Sequence, residues 1–142
     1  MATLAEIHVY PVKSCAGQPM EQATVQPRGL EHDRRWMLVD EDGKFITARQ
    51  EPRLLQAYAI PADEGLRLEA PGMPSLAVAA PKADATLTVK VWKDHVDALA
   101  VVLHAQGQRI FRRATLDLRG EGRAADGAGN RNIVQTRLAA DV

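Results

Sequence analysis

Two short stretches of this chain hold the residues best suited to chemistry. The first is Tyr10-Pro11-Val12-Lys13-Ser14-Cys15-Ala16-Gly17, where an ammonium, a hydroxyl, a thiol and a permissive glycine follow a proline. Lys13 and Ser14 together suit an anion: one supplies charge, the other a directed O–H, and nearby backbone N–H groups add to both. The same pair also reads as a solvated loop lysine beside a turn serine. The second stretch is Gly29-Leu30-Glu31-His32-Asp33-Arg34-Arg35-Trp36. Two adjacent arginines enter a strand there, and the strand period sends them to opposite faces, one toward a ligand and one toward water. A guanidinium fork matches a pair of phosphate oxygens, and Asp33 is placed to orient either arginine. The plainer alternative is a surface ion pair with Glu31 or Asp33. In Thr47-Ala48-Arg49-Gln50-Glu51-Pro52-Arg53 two more arginines flank a loop, which reads as a charged, solvated strand end.

The remaining reactive side chains argue for less. A thiol near Lys13 gains nucleophilicity if its pKa falls, but a lone cysteine is more often a small buried apolar residue, and Cys15 is expected to be one. A single cysteine also excludes a disulfide framework and any multi-cysteine zinc or iron–sulfur site. His8, His32, His95 and His104 show no ligand spacing such as His-x-x-x-His, so no metal site and no catalytic residue is assigned. Neither a phosphate-binding glycine loop nor a nucleophile elbow is present. Aromatic residues make up only 4 %, too few for a stacking surface for single-stranded nucleic acid.

The elements that would position these residues are short strands. Ala5–Tyr10 alternates with Ile7 and Val9 on one face and His8 on the other. Ala23–Gln26 follows. Arg35–Val39 and Phe45–Thr47 flank Asp42-Gly43, a strong hairpin signal. Leu54–Ile60, Leu66–Glu69, Leu76–Val78, Thr86–Trp92 and His95–Leu99 continue the pattern, and Ile133–Leu138 is a last candidate. No stretch predicts a long amphipathic helix, so crossover connections for a parallel sheet are absent. The expectation is a mainly β fold: a small barrel of about seven to nine short, mostly antiparallel strands. Core positions are expected at Ile7, Val9, Leu38, Val89 and Val91, with both tryptophans in packing roles.

The chain has 142 residues, enough for one domain, with 18 basic and 18 acidic side chains. Zero net charge argues against a strongly basic nucleic-acid binder. No apolar run is long enough to span a bilayer and no secretory signal opens the chain, so a monomer in the cytoplasm, without membrane or nucleic-acid partners, is expected. The charge is uneven, however. Residues 1–100 carry 11 basic and 14 acidic groups; residues 101–142 carry 7 and 4, and all seven are arginine. The domain is therefore placed at 1–100, and 101–142 is an atypical Arg/Ala/Gly-rich tail expected to be partly disordered.

Taken together, Tyr10-Pro11-Val12-Lys13-Ser14-Cys15-x-Gly17, Gly29-Leu30, Asp33-Arg34-Arg35-Trp36, Asp42-Gly43 and Thr47–Leu54 resemble the N-terminal β-barrel domain of MOSC proteins, as in the mitochondrial amidoxime-reducing components and their bacterial relatives. The resemblance covers roughly residues 4–98 and rests on several motifs in one order. It implies a molybdenum cofactor lying between this barrel and a following MOSC domain, in enzymes that reduce N-hydroxylated compounds. It also implies that Lys13, Ser14 and Arg34 contact the molybdopterin part. The family's molybdenum-ligating cysteine lies in the MOSC domain, and Cys15 matches a different cysteine. Residues 101–142 depart from the family pattern, as a diverged or out-of-frame segment would. The implied role is thus the cofactor-facing barrel, not catalytic alone, partnered by a MOSC domain on the same or another chain. The alternative is a stand-alone barrel that binds a protein or a small anion.

Overall fold

A computed structural model describes residues 1–40, 42–82, 86–102 and 132–136. Among these residues the strands run β1 (Ile7–Val9), β2 (Gln18–Met20), β3 (Val25–Gln26), β4 (Gly29–Leu30), β5 (Trp36–Val39), β6 (Tyr58–Ala62), β7 (Gly65–Glu69), β8 (Leu76–Ala79), β9 (Thr86–Val91), β10 (Asp94–Val102) and β11 (Asn132–Thr136). A short 3-10 helix spans Pro52–Gln56. The fold is therefore mainly strand with almost no helix, as the alternating pattern predicts. Every ladder is antiparallel: β1 with β2, β3 with β4, β6-β7-β8, and a four-stranded sheet ordered β5-β11-β10-β9. These ladders do not close into one bonded ring. Single bridges join them instead, Val12 to Trp36, Ala16 to Tyr58, Val39 to Phe45 and Lys44 to Lys90.

Strand β5 divides the interior in two. All four of its residues are buried, and a two-residue period sends alternate side chains to opposite faces. Trp36 and Leu38 join Val12, Cys15, Leu54, Leu66, Leu68 and Val78 in one cluster. Met37 and Val39 join Phe45, Val89 and Ala98 in the other. A strand buried on both sides reads as a continuous apolar run, which is why Trp36-Met37-Leu38-Val39 lacks the polar alternation of its neighbours. Leu38, Val89 and Val9 are buried as expected, whereas Ile7 and Val91 are half-buried.

The Asp42-Gly43 turn is organised by Asp40. Its carboxylate accepts the N–H groups of Asp42 and Lys44 at 3.1 and 2.8 Å. Its own N–H donates to the Lys44 carbonyl at 2.9 Å. Asp40 thereby satisfies backbone groups that a tight turn leaves unpaired.

Two expectations are revised. The stretch Leu54–Ile60 is not one strand: the 3-10 helix takes its first three residues and β6 begins at Tyr58. Pro52 presets the helical φ at the start, and the Leu54 and Ala57 N–H groups donate to the Glu51 and Leu54 carbonyls. The turn buries Leu54 and leaves Leu55 exposed. Nor does Pro61 stop the chain; it sits within β6, opposite Leu66. Because β6 is an edge strand, the missing N–H disrupts no ladder. In the tail, β11 falls where a last strand is expected; residues 103–131 and 137–142, and with them the expected disorder, lie outside the described residues.

Candidate functional site

The Lys13 loop is held from both sides. Tyr10–Lys13 runs alongside Arg34–Trp36: the Arg34 N–H donates to the Tyr10 carbonyl at 2.6 Å, the Trp36 N–H to Pro11 at 3.1 Å, and the Lys13 N–H to Trp36 at 2.8 Å. Val12 and Cys15 are both buried in the first core cluster. Lys13 and Ser14 connect these anchors, so they are left half-buried at the surface. Ser14 adopts a φ of +68°, a left-handed conformation uncommon for a residue with a Cβ. The Cys15 N–H then donates to the Val12 carbonyl at 3.2 Å and the Ala16 N–H to Ala57 at 2.9 Å.

The Lys13 ammonium lies over two rings rather than beside a carboxylate. Its Nζ is 4.3 Å from the Phe45 ring centroid and 5.7 Å from that of Trp92. Those rings meet each other at 5.1 Å and 59°. Burial pushes the Lys13 pKa below that of an ordinary lysine. No carboxylate among the described residues forms an ion pair with it. The result is a cation held against aromatic rings, with no ion-pair partner among the described residues.

Arg34 is oriented differently. It does not lie in a strand, as expected, but in the turn before β5, with φ of +50°. The turn, not strand alternation, sets its direction. Asp33 spans the site: Oδ1 accepts the Tyr10 N–H at 2.9 Å and Oδ2 accepts Arg34 Nη1 at 2.5 Å. The guanidinium carbon sits 4.9 Å from the Tyr10 ring centroid, and the side chain remains 59 % exposed. Arg35 is half-buried and donates through Nη2 to Gln26 Oε1 at 3.1 Å. Removing the Asp33 carboxylate therefore strands a backbone N–H and frees Arg34. Asp33→Ala should destabilise the chain by about 1–3 kcal/mol, discounting the exposed arginine. Asp33→Asn, which keeps an acceptor for the Tyr10 N–H, should lose less. Urea denaturation of both variants checks this, and equal losses would remove the backbone bond from the explanation.

Lys13 and Ser14 are thus adjacent, and Arg34 is on the neighbouring segment, level with Tyr10. The two cations rest on different rings, so they present separate contact points rather than one focused pocket. Two surface cavities of about 470 and 580 Å³ lie elsewhere, the larger bordered by Val9, Pro11, Met20, Glu31, His32 and Ile60. None of the three candidate residues lines either one.

Other candidates fall into place around them. Cys15 is buried, and burial raises its thiol to about 12. Arg53 is not solvated but buried in the 3-10 helix and engaged by its surroundings; Arg49 is exposed. Among the described residues no group of three or more His, Cys, Asp or Glu is placed to hold a metal. No helix of these residues is long and apolar enough to cross a membrane. Sequence reasoning missed Phe45 and Trp92 as partners of Lys13. Trp36 is core, but Trp92 is 61 % exposed. The available signal was Val91-Trp92-Lys93-Asp94, a two-residue hairpin connection that lifts Trp92 out of the strand.

The profile of the MOSC N-terminal beta barrel domain matches residues 1–106. The chain belongs to this family. Among curated relatives of this MOSC barrel, mitochondrial amidoxime reducing component 2 of Homo sapiens is 41 % identical over 80 residues, 54 % of this chain and 24 % of that protein. Molybdenum cofactor sulfurase of Danio rerio is 35 % identical over 78 residues, 54 % of this chain and 9 % of that protein. The MOSC barrel here thus spans about a quarter or less of the length of these relatives. A solution structure of a Bordetella bronchiseptica protein shares the fold at a TM-score of 0.57 and 16 % identity, covering 92 % of this chain and 88 % of that one. Strand β11 lies beyond the residues matched to the MOSC barrel family.

Proposed function

We propose that this chain is the cofactor-facing barrel of a molybdenum-cofactor protein, in which Lys13, Ser14 and Arg34 hold the anionic end of molybdopterin. The observation that carries this is the Lys13 ammonium, half-buried against Phe45 and Trp92 and ion-paired with no carboxylate among the described residues, next to a hydroxyl on a left-handed turn. Such a pair fits a phosphate through charge-assisted hydrogen bonds. Arg34, tied to Asp33 and otherwise exposed, offers a second contact point on the neighbouring segment, separate from that pair. Membership of the MOSC barrel family and the names of its relatives, an amidoxime reducing component and a molybdenum cofactor sulfurase, support the same direction.

In this reading the bound cofactor supplies the redox-active molybdenum. The chain's own residues bind and orient it; none of them is assigned a catalytic step. A MOSC domain, on the same polypeptide or a second one, completes the site. The test is pterin retention. The chain is produced together with a MOSC domain in a host that makes the cofactor, and the retained pterin is oxidised and measured by fluorescence. Lys13→Gln and Arg34→Gln should each weaken retention by about ten- to a hundredfold, the equivalent of about 1.5–3 kcal/mol per charge-assisted contact. Unchanged pterin content in both variants would remove the assignment.

A second reading is a stand-alone barrel that binds a protein or a small anion. It predicts no pterin retention in the unmodified chain under the same conditions.

A further inference from the structure

A freely moving lysine loses rotamer freedom when it binds an anion, a cost that is smaller when its stem is already held. A carboxylate would hold it but would also cancel its charge. The Phe45–Trp92 ring pair holds Lys13 without doing so. The two rings are there for different reasons. Phe45 is buried in the second core cluster and needs no other explanation. Trp92 remains 61 % exposed, so burial does not account for its place.

Its backbone makes the case sharper. Val91 pairs with Asp94 across the β9–β10 hairpin, leaving Trp92 and Lys93 as the connection. Trp92 takes a φ of +58°. The first position of such a connection favours glycine when φ is positive, and a bulky residue there is strained. A tryptophan thus stands where glycine would suit the backbone better and where most of its own surface remains exposed. Among the described residues, its ring meets Phe45 and the Lys13 ammonium.

We propose that Trp92 is a positioning residue, which holds the Lys13 ammonium at the barrel surface ready for a phosphate group. This rests on Lys13 being an anion ligand, as proposed above. Desolvation of Lys13 beneath the rings fits the same arrangement.

The test uses the full chain with ¹³C-labelled lysine, observed by NMR and titrated with inorganic phosphate. Stacked against two rings, the Lys13 ε-CH₂ signal should be shifted upfield and should move saturably with phosphate. Trp92→Gly relieves the strained backbone and removes the ring. It should stay at least as stable as the parent, lose much of the upfield shift, and bind phosphate about three- to tenfold more weakly, the scale of a cation–π contact. Trp92→Phe should restore both the shift and the affinity in large part. Should Trp92→Gly be poorly folded, Trp92→Asn, which also tolerates a positive φ and lacks the ring, takes its place with the same expected loss. Wild-type affinity in Trp92→Gly, with affinity lost in Lys13→Gln, overturns the positioning role and leaves the anion site standing. If Lys13→Gln itself binds phosphate like the parent, both fall together.

Discussion

In the folded chain, iodoacetamide near neutral pH should alkylate Cys15 about a thousandfold more slowly than an ordinary cysteine. Burial moves the thiol from 9.0 to about 12, and only the thiolate reacts. Each unit removes about a factor of ten from the reactive fraction. Cys15 is also enclosed by the first core cluster, so the reagent needs the chain to open before it can reach the sulfur. Adding denaturant should restore the ordinary rate. The same shift makes stability depend on alkaline pH. Below pH 9 the thiol is protonated in both states and contributes no slope. Above it, the unfolded chain releases the proton first, so stability falls as pH rises from 9 toward 12. Alkylation of the folded chain at the rate of a free cysteine would contradict burial and reinstate Cys15 as a nucleophile or ligand.

Gly65→Ala should cost at least about 3 kcal/mol, combining a strained backbone with a steric clash. Gly65 has a φ of +137°, and a Cβ there would lie 2.0 Å from the Val78 carbonyl oxygen and 2.8 Å from backbone atoms of Ala79 and Ala80. These neighbours are backbone, not flexible side-chain ends, so relief requires β7 and β8 to separate. Gly65 also pairs on both sides, with Ala62 and Ala79, so the damage spreads across the three-stranded sheet. Gly72→Ala is the control. Its φ is +69° but nothing lies within 4 Å of the added carbon, so only the conformational cost remains, about 1 kcal/mol. Urea denaturation of the two variants should separate them clearly. Equal costs would show that the close approach of β8 to Gly65 is not what matters.

How far the sequence discloses this molecule depends on the range of the forces involved. Local signals are legible. The alternation of Leu66–Glu69 and Thr86–Val91 and the Asp42-Gly43 turn are consequences of side-chain period and backbone chemistry within a few residues. Strands β2 and β4 are not legible, because two or three residues carry no period; Gln18–Met20 is extended only because β1 lies beside it. The helical turn at Leu54 is a near miss of the same kind, since burial of Leu54 against a distant core overrides its strand-like appearance. At the site, the chemistry of Lys13, Ser14 and Arg34 is written in their types. What surrounds them is not. Phe45 and Trp92 reach Lys13 from distant segments, and the positive φ of Arg34 breaks the alternation that its position suggests.

The four-stranded sheet has a consequence for how the chain is made. Its order, β5-β11-β10-β9, places the last of its own four strands in the sequence between the first and the third. Until Asn132–Thr136 has left the ribosome, β5 and β10 each present an edge with no neighbour, although β10 and β9 can already form a hairpin. The β6-β7-β8 meander needs only local contacts and can form at once. The molecule is therefore built at two speeds. One sheet assembles as the chain emerges, while the other waits for a strand that lies far along the sequence from its neighbours, and bringing distant segments together costs entropy before any contact repays it. During that wait the open edges are the part of the chain most exposed to pairing with another copy.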